Sequence, residues 1–98
     1  MKTLPEIRAI LRSHAPELRA RYHVLDIAVF GSVARGEQTA DSDVDILVDF
    51  GQPVGWEIVH LRDYLEQILE VKVDLVTRNA FIRKPLLWQA IQEDLAYA

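Results

Sequence analysis

Phe30-Gly31-Ser32-Val33-Ala34-Arg35-Gly36 and, after five more residues, Ser42-Asp43-Val44-Asp45-Ile46-Leu47-Val48-Asp49-Phe50 are the stretches that decide the fold. Leu25 to Phe30 is an apolar, β-branched run of strand length, and Gly31 ends it. Asp43 to Phe50 alternates Asp, Val, Asp, Ile before turning apolar, the mark of a half-buried strand that becomes a buried one. No long helix fits between the two, so they are expected to run antiparallel. Gly51-Gln52-Pro53-Val54-Gly55 then makes a turn. Beyond it, Ile58, Leu61, Leu65, Ile68 and Leu69 form one helical face, opposite Arg62, Asp63, Glu66 and Glu70. Val71 to Thr77 reads as a third strand. The helix before it acts as a crossover and makes it parallel to the second.

Upstream, Thr3 and Glu6 have capping-box spacing with Pro5 in the first turn, and Leu4, Ile7, Ile10 and Leu11 form a helical stripe. Ser13 is placed to start a second helix that turns Leu18 and Tyr22 inward. Downstream, Pro85, Leu87, Trp88, Ile91 and Leu95 mark a last helix. The expectation is an α/β (α+β) fold over residues 1–98: one domain, a small mixed three-stranded sheet with helices packed on it.

The chemistry concentrates around the same stretches. Side chains two apart on a strand share a face, so Asp43 and Asp45 project together, roughly 7 Å apart at the backbone for a rise of ~3.3 Å per residue. Two such carboxylates can converge on a hard cation; Mg²⁺ often takes one or two of them together with substrate phosphates. For an isolated Asp-x-Asp, a solvated strand edge is the favoured explanation. Asp74 sits opposite the face made by Val71, Val73 and Leu75, and parallel pairing brings it to the side of Asp43 and Asp45. Three carboxylates on one face repel one another, and no Lys or Arg lies between Gly36 and Leu61 to relieve them. A metal ion is the economical answer. Gly31 permits a sharp turn, and free amides at such a turn would make a concave anion site, although a Gly-Ser after a strand is most often only a turn. Arg35 is a charge partner for phosphates or for a nearby acid, or simply a surface arginine.

Gly31-Ser32, ten intervening residues, Asp43-Val44-Asp45 and a later strand carrying Asp74 resemble the nucleotidyltransferases of the DNA polymerase beta superfamily, most closely their minimal (MNT) branch. The resemblance spans nearly the whole chain, because the element order agrees as well. It implies that Gly31 and Ser32 hold the triphosphate of ATP, and that Asp43 and Asp45 bind two Mg²⁺ ions. It further implies that Asp74 completes the second metal site and helps deprotonate the attacking hydroxyl. MNT proteins often serve as antitoxins to HEPN-family toxins, and the resemblance implies transfer of AMP to a tyrosine of such a partner. An antitoxin that masks its toxin by contact alone, and a subunit that nucleotidylates a small molecule such as an aminoglycoside, are the alternatives.

Composition sets the remaining limits. The chain has 98 residues, half of them apolar, with a net charge of -4. A packed core is therefore expected, whereas the acidic balance argues against sequence-independent nucleic-acid binding. There is no cysteine, so neither a disulfide nor a thiol nucleophile exists. His14, His23 and His60 lack metal-ligand spacing, and Asp41 and Asp49 read as bystanders. With no signal-like start and no apolar run of membrane length, a cytoplasmic protein is expected. About twenty residues follow the third strand, too few for an acceptor-binding domain, so a protein partner is expected to supply the acceptor. Trp88, Tyr97, Arg83 and Trp56 are the candidate anchors of that contact, and homo- or hetero-oligomers are both compatible with it.

Overall fold

Thr3 closes the first turn of α1 (Leu4–Ser13) as the spacing predicts. Its hydroxyl accepts from the Glu6 amide, and the Glu6 carboxylate accepts from the Thr3 amide. Ser13 does not start the next helix. It ends α1, donating to the Ile10 carbonyl at 2.8 Å, and α2 (Ala15–Tyr22) follows His14 with Pro16 in its first turn. A capping residue one position too early looks the same in sequence as a true cap. The computed structural model describes residues 2–98.

β1 (Val24–Phe30) and β2 (Val44–Phe50) pair antiparallel, with Phe30 opposite Asp45, Val29 opposite Ile46 and Ala28 opposite Leu47. α4 (Glu57–Leu69) leads from β2 to β3 (Val73–Thr77), which pairs parallel to β2 with Asp45 and Asp74 in register. Ile7, Leu11 and Leu18 from α1 and α2, and Leu61, Leu65 and Leu69 from α4, pack with Val29, Ile46 and Val48 into one continuous core on one face of the sheet. Each such side chain contributes about 1.5–3 kcal/mol by leaving water.

At the β1 edge the structure departs from the expected three strands. The sheet has four, in the order β3-β2-β1-β4. β4 (Ala96–Tyr97) lies antiparallel to β1 through Ala28–Tyr97 and Val29–Ala96. Two residues carry no period that a sequence pattern could show. Long-range bonds hold them instead: the Ala98 amide donates to the Ile27 carbonyl at 3.1 Å, and Arg8 Nε donates to the Tyr97 carbonyl at 2.9 Å. Between β3 and β4 the chain forms α5 (Arg78–Ile82), capped by the Thr77 hydroxyl, and α6 (Pro85–Gln92). α5 was not expected. It reaches over the second face, where Phe81 meets Phe30 edge-on at 6.0 Å, and Ala28, Phe30 and Leu47 are buried on that side.

Candidate active site

Sheet register builds the site. Phe30 is opposite Asp45, and Asp45 is beside Asp74, so one row across three adjacent strand positions carries the end of β1 and two carboxylates. Side chains in such a row share a face, here the face opposite the main core. Asp43 lies just before the first residue of β2 rather than within the strand, where sequence alternation had put it. The connection that delivers it is pinned by Thr39 and Ser42: the Thr39 amide donates to Ser42 Oγ at 2.9 Å, and the Ser42 amide to the Thr39 carbonyl at 3.1 Å. Asp41 takes no part in those bonds.

Burial pushes the Asp45 carboxyl above its ordinary range. The charge of Asp74, hydrogen bonding to Asp74 and the charge of Asp43 act in the same direction, while Arg35 acts against them. Among the described residues no ion pair reaches Asp43, Asp45 or Asp74. Nor, among the described residues, do three His, Cys, Asp or Glu side chains stand close enough to enclose a metal by themselves. The three acids thus form a pair on β2 and β3, Asp45 half-buried and Asp74 exposed, with Asp43 as a nearby third charge, not a finished cage. A donor set of this kind fits Mg²⁺, which takes few protein carboxylates and completes its shell with water and phosphate oxygens.

Gly31 opens the short helix α3 (Gly31–Ala34) directly at the end of β1, with φ +73. A Cβ built there would run into Asp45 Oδ2 and lie 3.0 Å from Asp45 Cγ. The glycine is required because the turn lies against the carboxylate, a reason the sequence does not disclose. The first amides of a helix have no partner within it, so the backbone from Gly31 to Ala34 offers donors beside the acid pair. Ser32 is half-buried in this turn. Arg35 bonds Asp94 at 2.9 Å and Glu37 at 3.2 Å. Asp94 thereby ties the segment after α6 to the turn, a link between residues 59 apart that no local signal announces.

The acids occupy open ground. A depression of about 490 Å³ adjoins the turn, lined by Thr3, Leu4, Val33, Arg35 and Gln38. Another of about 440 Å³ lies at the far ends of β2 and β3, beside Asp49, Gln52, Thr77 and Arg78. Neither contains Asp43, Asp45 or Asp74. A site of charged strand ends and bare amides grips through charge more than through enclosure, so cavity size is a poor guide to it.

A mixed sheet with a glycine-serine turn after one strand and carboxylates in register on the next two defines the nucleotidyl-transferring class. Residues 11–97 match the nucleotidyltransferase domain family, and the chain belongs to that family, in its minimal branch within the DNA polymerase beta-like superfamily. It is 51% identical over 81 residues to the protein adenylyltransferase MntA of Thermococcus cleftensis, covering 82% of each chain. A solved structure provisionally described as a minimal nucleotidyltransferase superposes with a TM-score of 0.78 at 34% identity, over 97% of this chain and 95% of that one. A toxin–antitoxin structure with AMP-PNP gives a TM-score of 0.53 at 30% identity, over 70% of this chain and 52% of that one.

Proposed function

We propose that this protein transfers AMP from ATP to a hydroxyl, a tyrosine in our reading, of a HEPN-family toxin, and so acts in the cytoplasm as the toxin's antitoxin. The observation that carries the reading is the Asp45–Asp74 pair, in register on adjacent strands, with Asp45 lying against the Gly31 turn. The name of the Thermococcus relative and the nucleotide analogue in the toxin–antitoxin structure support the same direction. The amides following Gly31, with Ser32, hold the triphosphate and aim the α-phosphorus at the acids. Asp74, exposed on its strand, accepts the proton of the attacking hydroxyl. The hydroxyl oxygen bonds to the α-phosphorus, the bond to the bridging oxygen of the β-phosphate breaks, and pyrophosphate leaves with that electron pair. Asp43, Asp45 and Asp74 would hold two Mg²⁺ ions, which supply charge neutralisation at the attacking and leaving oxygens. Arg35 positions the turn through Asp94 and Glu37.

A masking antitoxin is the second reading. It is favoured by the exposed apolar side chains Trp56, Leu86 and Leu87, which are 82%, 83% and 47% accessible. Intact-mass measurement of the co-encoded partner, after incubation with this protein, ATP and Mg²⁺, separates the two. The expected result is a gain of one AMP, abolished by chelator. Tight association with no gain in mass would replace transfer by masking.

A further inference from the structure

We propose that the acceptor segment docks as an extended strand along the outer edge of β3 and thereby lays its hydroxyl beside Asp74; this rests on the transferase reading above. β3 is the outermost strand on its side of the sheet. The Val44 amide donates to the Lys72 carbonyl at 2.9 Å. With Asp45 beside Asp74 in a parallel ladder, this phase turns the backbone groups of Asp74 and Val76 toward β2 and those of Val73, Leu75 and Thr77 outward. Independent support comes from Glu66, whose carboxylate accepts from the Val73 amide at 2.9 Å, as only an outward amide allows. The chain's own carboxylate therefore closes one end of the edge and leaves the Leu75 amide and carbonyl for another strand. Beyond that cap, neither a proline nor a bulge interrupts the edge across Val73–Thr77.

The same phase decides what an incoming strand would present. A residue opposite Asp74 on an added antiparallel strand falls at a non-hydrogen-bonded position, where side chains are closest and share a face, with Cβ atoms ~4.5–5.5 Å apart. That face holds Asp45 and the Gly31 turn. Edge pairing thus converts backbone recognition, indifferent to the acceptor's overall shape, into placement of one side chain at the carboxylate. Lys72 precedes Asp74 on the same side by strand alternation, but Asp43, Asp45 and Asp74 outnumber it there and Glu66 adds a carboxylate at the edge, so the occupant is an extended segment of the partner protein bearing a hydroxyl side chain with a basic residue nearby.

The test uses the whole protein with its co-encoded partner, ATP and Mg²⁺. Leu75→Pro removes the outward amide, while Leu75→Val keeps it and serves as the packing control. Loss of one or two such bonds should slow transfer by about tenfold or more in Leu75→Pro, with ATP affinity, read by calorimetry, retained. Equal transfer by Leu75→Pro and wild type would overturn edge docking and leave the transferase reading standing. Should the proline variant not fold, hydrogen exchange on the wild type decides: the Leu75 amide gains protection when the partner binds, and unchanged exchange there refutes the proposal. A β3-mediated homodimer that the partner does not displace would also refute it. If the wild type transfers nothing to the partner, the reading beneath the proposal fails, and the proposal with it.

Discussion

Gly31 and Gly36 offer a matched comparison at the level of single residues. Both have a left-handed backbone, φ +73 and +72, but a Cβ at Gly31 strikes the Asp45 carboxylate whereas one at Gly36 meets nothing within 4 Å. Gly36→Ala should therefore cost only the backbone penalty, about 1–2 kcal/mol, and keep transferase activity. Gly31→Ala carries the same penalty, must also push Asp45 aside, and should lose stability beyond Gly36→Ala together with nearly all transfer. Urea denaturation and a transfer assay on the two variants check this, and similar losses in both would remove the special role given to Gly31. The residues themselves were legible in the sequence. Strand alternation together with the expected parallel pairing of β2 and β3 placed Asp45 and Asp74 on a common face, and the glycine-serine pair marked the turn. What alternation could not provide was contact across strands: that Gly31 is needed because Asp45 lies against it, or that Arg35 bonds Asp94. Both facts depend on register between distant segments.

Elements differ in how firmly their own sequence specifies them. α4 was readable because Leu61, Leu65 and Leu69 repeat at helical spacing, and all three are fully buried. β4 has only Ala96 and Tyr97, and α5 is a five-residue helix whose cap, Thr77, also ends a strand. Neither is long enough to show a period, so tertiary pairing decides them. α6 lies between these cases: its apolar pattern predicts a helix correctly, yet none of its residues is buried. This contrast is measurable. Leu65→Ala should cost about 2–5 kcal/mol, as large-to-small changes in cores do, whereas Leu86→Ala should stay within about 0.5 kcal/mol. The second substitution should instead weaken binding of the partner, if α6 contributes to that contact. Denaturation curves and a pull-down titration read the two effects separately. A destabilised Leu86→Ala would mean that α6 is packed more tightly than its exposure indicates.

At the scale of the whole molecule, helices α1, α2 and α4 bury one face of the sheet, and the other face carries the acids at one end of β2 and β3 with α5 alongside. The stable side and the chemical side are separate layers, so changes at the acids need not unfold the protein. The electrostatics follow from that arrangement. Because the folded protein raises the Asp45 carboxyl above its ordinary range, it binds more protons than the unfolded chain between the ordinary and the raised value, and its stability must fall as pH rises through that window. Asp45→Asn removes the charge responsible. The measurement that tests the account most directly is the melting temperature of the wild type and Asp45→Asn from acid to neutral pH, each with and without Mg²⁺ and a non-hydrolysable ATP analogue. Without ligands, Asp45→Asn should melt above the wild type at neutral pH, with the difference vanishing in acid; with Mg²⁺ and nucleotide, the wild type should gain stability and the variant should not. A variant that melts below the wild type at every pH, yet is stabilised by Mg²⁺ and nucleotide as the wild type is, would contradict the assignment of this carboxylate pair as the site of nucleotidyl transfer.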